Sequence, residues 1–105
     1  RVIGSGAFTD CKSLESFTFP SYMNIIQKDT FSGCTNLKKI TIPKNVTKIA
    51  QSAFEGCVNL TSVKLSSDTT AIGTKAFKDC TGLTSFTIPN KVTLIRQQAF
   101  MVVRI

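Results

Sequence analysis

The sequence predicts a solenoid, α/β in class and rich in β, with short parallel strands on one face and loops and short helical turns on the other. Three observations carry that prediction. Phe8, Phe31, Phe54, Phe77 and Phe100 stand 23 residues apart, and Cys11, Cys34, Cys57 and Cys80 keep the same step. Leu14, Leu37, Leu60 and Leu83 repeat it, as do Ile3, Ile26, Ile49, Ile72 and Ile95. Pro20, Pro43 and Pro89 form a further column, interrupted by Ser66. A fixed period in this range marks a chain of stacked supersecondary units, each too small to bury its own apolar face.

Aligned on these columns, one rung reads I-x-x-x-A-F-x-x-C-x-x-L-x-x-φ-x-φ-P, with φ apolar. About four and a half such 23-residue rungs fill residues 1–105, which form a single domain. From Leu37 the apolar residues fall at Leu37, Ile40 and Ile42 and end in the alternation of a short strand. Equivalent strands are Ser16–Phe19, Ser62–Leu65 and Ser85–Ile88. Pro43 stops the ladder because it has no N–H to give. In the other half of the rung, Ala53, Phe54 and Cys57 have the spacing of one helical turn with Phe and Cys on a common face. Gly33 and Gly56, just before the Cys, can take the left-handed conformation that ends such a turn; Asp10 and Asp79 tolerate it less well.

Composition narrows the function classes. The chain is 42% hydrophobic, too apolar for a disordered tail, yet no run approaches the roughly 20 apolar residues of a membrane helix. There is no His, which removes the commonest general base and the commonest metal ligand together. The six acids are scattered and no nucleophile has a base beside it, so an enzyme is not expected. The chain starts at Arg1 without an apolar leader, which suggests a processed form or a fragment.

The four Cys recur once per rung, so their thiols should form a line rather than the converging pairs that structural zinc needs. Neither a metal nor a cofactor is expected. Bridges Cys11–Cys34 and Cys57–Cys80 lie within Cα reach, but stacked side chains point in parallel and suit disulfide torsions poorly. Small buried free thiols filling a core column are the preferred reading. The five repeating Phe are core, with Phe17, Phe19 and Phe86 in inward strand slots; Tyr22 is expected to be exposed.

The net charge of +7 comes from 13 Lys and Arg against six Asp and Glu. Lys12, Lys28, Lys44, Lys48, Lys64, Lys75, Lys78, Lys91 and Arg96 are spread along the rungs, and only Lys38 and Lys39 are adjacent. Without exposed rings interleaved among the cations, nucleic acid is not an expected partner. Asn45-Val46-Thr47 and Asn59-Leu60-Thr61 fit the N-x-[ST] pattern, which is short and common by chance. Gly4-Ser5-Gly6 lacks the strand and helix a phosphate loop requires.

Two stretches, AFEGCVNLTSVKL and AFKDCTGLTSFTIPNKV, closely resemble the unit AF-x-x-C-x-x-L-x-x-φ-x-φ-P-x-x-V-x-x-I of the BspA-like (Treponema pallidum type) leucine-rich repeats. The resemblance runs from Ile3 to Phe100 and implies a leucine-rich-repeat solenoid. Departures are Thr30 for Ala, Ser66 for Pro, Thr69 in the Val column, and the tail MVVRI, where Val103 takes the next Cys slot. Members are mostly bacterial or protozoan surface or secreted proteins, several implicated in adhesion. The resemblance therefore implies a cell-surface or secreted location and a protein partner.

Leucine-rich repeats usually bind through the outward strand positions. Here these are Glu15, Ser16 and Thr18; Lys38, Lys39 and Thr41; Thr61, Ser62 and Lys64; and Thr84, Ser85 and Thr87. Eight of the twelve carry hydroxyls, which can hydrogen-bond a partner, but the face has no aromatic anchor. A protein-interaction module, with adhesion as its setting, is the expected function. A structural spacer or an intracellular scaffold is the alternative. No capping motif stands at either end, so exposed terminal rungs offer a route to self-association.

Overall fold

The computed structural model describes residues 3–20, 22–86, 89, 91–96 and 99–100. Among these described residues, seven short strands follow in chain order: β1 (Ile25–Ile26), β2 (Lys39–Thr41), β3 (Lys48–Ile49), β4 (Ser62–Lys64), β5 (Ala71–Ile72), β6 (Ser85–Phe86) and β7 (Leu94–Ile95). They build two parallel sheets, a first of order β2-β4-β6 and a second of order β1-β3-β5-β7. Lys39, Ile40 and Thr41 face Ser62, Val63 and Lys64, and Ile49 faces Ile26 and Ile72. Every pairing has a 23-residue offset, so like positions stack on like.

The solenoid expected from the period is therefore the observed fold, with one addition. Each rung after the first carries two strands where the alternation signalled one. The second is only two residues long, too short to display a period. Between the sheets the chain turns a corner: Val46 N–H donates to the Pro43 carbonyl at 3.1 Å, and Val92 does the same to Pro89. Of the expected strand Ser16–Phe19, only the single bridge Ser16 to Lys39 forms. Where later rungs place Ile40 and Ile42, this one has Phe17 and Phe19. Both rings pack edge-on to Phe31, at 5.1 and 5.7 Å. Thr87, Ile88 and the tail with Val103 lie outside the described residues.

The third side of the rung corrects the expected helical turn. It is a chain of β-turns: Ala53 N–H donates to Ala50, Glu55 to Ser52 and Cys57 to Phe54, each three residues back. Two residues per rung sit at the third turn position with positive φ, as a type II turn demands. One set is Gly6, Asp29, Ser52 and Lys75; the other is Asp10, Gly33, Gly56 and Asp79. Gly33 and Gly56 thus adopt the conformation expected of them, and Asp10 and Asp79 accept it at φ 59° and 62°. A helix would direct its N–H groups along its own axis. These turns instead free alternate N–H groups to bond the next rung: Ser52 to Thr74, Phe54 to Ala76 and Gly56 to Lys78, all within 2.9 Å.

The interior is one continuous core. Phe31, Phe54 and Phe77 are fully buried, as are Cys34, Cys57, Cys80, Leu37, Leu60, Ile26 and Ile72. The Phe rings stack in parallel from Phe8 to Phe100 with centroids 5.2–5.5 Å apart, a little wider than the usual strand spacing. Polar intruders in apolar columns find carbonyls. The hydroxyl of Thr30 donates to Gln27, that of Ser66 to Lys44 and that of Thr69 to Val46.

Rung spacing also fixes Gly73. A Cβ there would stand 2.7 Å from the Ala50 carbonyl carbon and 2.8 Å from the Gln51 nitrogen, both backbone of the preceding rung. Gly73→Ala must push two rungs apart and is expected to destabilise the chain by about 1–3 kcal/mol, as overpacking does. Urea denaturation checks this; an unchanged midpoint would contradict the spacing.

Candidate functional site

The outer face of the first sheet is built by register. Because β2, β4 and β6 pair without slip, Ser16, Lys39, Ser62 and Ser85 form one column, and Thr41 and Lys64 stand side by side in the next. Glu15, Ser16, Thr18, Lys38, Lys39, Thr41, Thr61, Lys64 and Thr84 are exposed and Ser62 is half-buried. The structure thus brings together the outward residues the alternation pointed to, apart from Thr87, which lies outside the described residues.

These residues are not equally available. Thr61 and Thr84 use their hydroxyls within the solenoid, donating to the Lys38 and Thr61 carbonyls of the preceding rung at 3.2 and 3.1 Å. Lys38 pairs with Glu15 at 3.7 Å, an exposed contact worth little. No acid among the described residues forms an ion pair with Lys39 or Lys64. Two unneutralised ammonium groups on adjacent strands, set among hydroxyls, define the character of the face.

Sequence reasoning missed a depression of about 390 Å³ at the first-rung end of this sheet, lined by Phe17, Phe19, Pro43, Lys39 and the hydroxyl residues Ser16, Thr18 and Thr41. It opens where pairing stops after Ser16. The signal was the double Phe at slots that hold Ile, Val or Leu in the next two rungs. The outer side of the second sheet, with Ile25, Lys48, Ala71 and Leu94 in register, was also not singled out and carries a smaller hollow of about 210 Å³.

Cys34, Cys57 and Cys80 are buried and offer no chemistry to solvent, and Cys11 is half-buried. All four are free, and Cys34, Cys57 and Cys80 donate their S–H to the carbonyls of Phe8, Phe31 and Phe54 in the preceding rung, each at 3.1 Å. Burial raises the pKa of all three, that of Cys80 to about 12. A thiol in this state is a hydrogen-bond donor and core filler, not a nucleophile. Among the described residues no cluster of potential ligands could hold a metal, and no helix is long and apolar enough to cross a membrane. Tyr22 is 49% exposed, as expected.

Comparison with known proteins agrees with this architecture. The leucine-rich repeat protein of T. pallidum superposes with a TM-score of 0.91 at 33% identity, over 93% of this chain and 46% of that one. A leucine-rich repeat protein from Eubacterium ventriosum gives 0.90 at 30% identity, over 97% and 28%. A leucine rich cell surface protein from Faecalibacterium prausnitzii gives 0.70 at 33% identity, over 92% and 32%. The chain therefore spans less than half the length of each of these relatives. No protein of curated function matches it. The signature of the BspA type leucine rich repeat region (6 copies) matches residues 1–105. With its 23-residue register, its two parallel sheets and these matches, the chain belongs to the BspA-type leucine-rich repeat family.

Proposed function

We propose that the chain is a non-enzymatic protein-interaction module of a cell-surface or secreted protein, and that it docks its partner on the outer face of the first sheet. The observation that carries this reading is the exposed, in-register array on β2 and β4, where Lys39 and Lys64 stand unneutralised among hydroxyls. Such an array is rigid, because its backbone is held by ladders on both sides of each rung, so little ordering entropy opposes binding. The cell-surface name of the Faecalibacterium relative supports the location. Adhesion is the setting proposed for it.

A binding panel tests the proposal. Immobilised chain is exposed to purified matrix and cell-surface proteins and read by surface plasmon resonance. At least one is expected to bind, and Lys39→Glu with Lys64→Glu is expected to weaken that binding at least tenfold. Lys28→Glu with Lys75→Glu, on the turn side of the rung, should leave it unchanged. Binding equally sensitive to both pairs, or absent throughout, overturns the reading in favour of a spacer.

A further inference from the structure

We infer that the partner presents an extended acidic polypeptide segment, with an apolar side chain seated in the depression beside the first rung. This rests on the docking face proposed above and adds the chemistry of its occupant. The charge on that face is one-sided: Lys39 and Lys64 form no ion pair among the described residues, and the one acid, Glu15, is engaged with Lys38. Lys39 and Lys64 lie on neighbouring strands and two positions apart, since Lys39 faces Ser62. One strand spacing and two residue rises put their Cα atoms roughly 8 Å apart on the diagonal. Alternate residues of an extended chain project to one side roughly 7 Å apart, so two carboxylates at i and i+2 reach both ammonium groups.

The depression selects a polypeptide over a bare polyanion. Lys39 forms part of its wall, beside the rings of Phe17 and Phe19 and the ring of Pro43. Phe17 is half-buried and Phe19 is 8% exposed, so the two rings offer apolar wall without projecting as stacking platforms. A sugar or nucleic acid polyanion would meet the cations and leave this apolar wall wet. A peptide whose carboxylate meets Lys39 can place the apolar side chain of a nearby residue against it. The hydroxyls of Ser16, Thr18 and Thr41 rim the hollow and can bond the peptide backbone.

The test uses fluorescein-labelled peptides and fluorescence anisotropy at low salt. The probe is a seven-residue peptide with one phenylalanine and two glutamates at alternate positions, the remainder serine. Binding is expected, weakened about fivefold or more by Lys39→Ala, by Lys64→Ala and by replacing the probe's phenylalanine with alanine. Thr18→Trp, which fills the hollow, should remove the phenylalanine dependence while keeping the glutamate dependence. Circular dichroism confirms that each variant retains its fold. If heparin hexasaccharide or single-stranded DNA binds more tightly than the probe and phenylalanine is immaterial, the face is a general polyanion site and the inference fails. If the probe does not bind while a panel protein still depends on Lys39 and Lys64, the inference fails and the broader docking reading stands.

Discussion

Phe54→Ala is expected to cost about 3–5 kcal/mol, the usual loss for removing a buried aromatic ring. The whole stability of a domain this size is of order 5–15 kcal/mol. Phe54 is fully buried and stacks in parallel on Phe31 at 5.2 Å and on Phe77 at 5.3 Å. Alanine would break the ring column in its middle and leave a void that flanking backbone, held by ladder bonds, cannot close. A solenoid contacts only its nearest neighbours, so the defect sits on the interfaces joining its two halves. Urea denaturation should show a lowered midpoint and a broadened transition as the halves uncouple. Phe8→Ala is the contrast. Phe8 is half-buried, stacks in parallel on Phe31 alone at 5.5 Å and meets Phe17 at a tilt at 5.1 Å, so it should cost less. Equal costs would mean that the column does not hold the rungs together.

The same arithmetic explains why the interior was legible in the sequence. A column of identical residues at a constant step has one physical solution: like side chains stacked at the strand spacing, each burying its neighbour. Phe, Cys, Leu and Ile columns all reported it, and the first-sheet alternation around Ile40 and Ile42 gave the outward residues with it. What stayed hidden is what does not repeat or does not alternate. The second sheet contributes only two residues per rung. The turn chain was masked because Ala53, Phe54 and Cys57 keep helical spacing while the backbone reverses at Ser52 and Gly56. Gly6, one turn before Asp10, was the clue that a second left-handed position exists, but Asp29, Ser52 and Lys75 in its column hid it. The depression at Phe17 and Phe19 is a departure from the period, and a reading built on the period passes over its exceptions.

Alkaline pH should unfold this chain through its cysteine column, and Cys80→Ala should reduce that sensitivity. An unfolded thiol ionises near its ordinary value of 9.0, whereas burial holds Cys34 and Cys57 above it and pushes Cys80 up to about 12. Below pH 9 both states are protonated and the thiol's contribution is fully present. Between 9 and 12 the unfolded chain releases a proton that the folded one retains at Cys80. The unfolded state then binds fewer protons, and stability falls as pH rises, by about 1.4 kcal/mol per unit for each such thiol. At pH 7, Cys80→Ala loses the S–H bond to the Phe54 carbonyl and some core volume, about 1–2 kcal/mol. By pH 11 the native thiol itself has lost about 2–3 kcal/mol, a penalty alanine escapes. The two stability curves should therefore cross between pH 9 and 11. Curves that stay parallel across that window would mean that Cys80 ionises in the folded chain, and that the core is open to hydroxide and water.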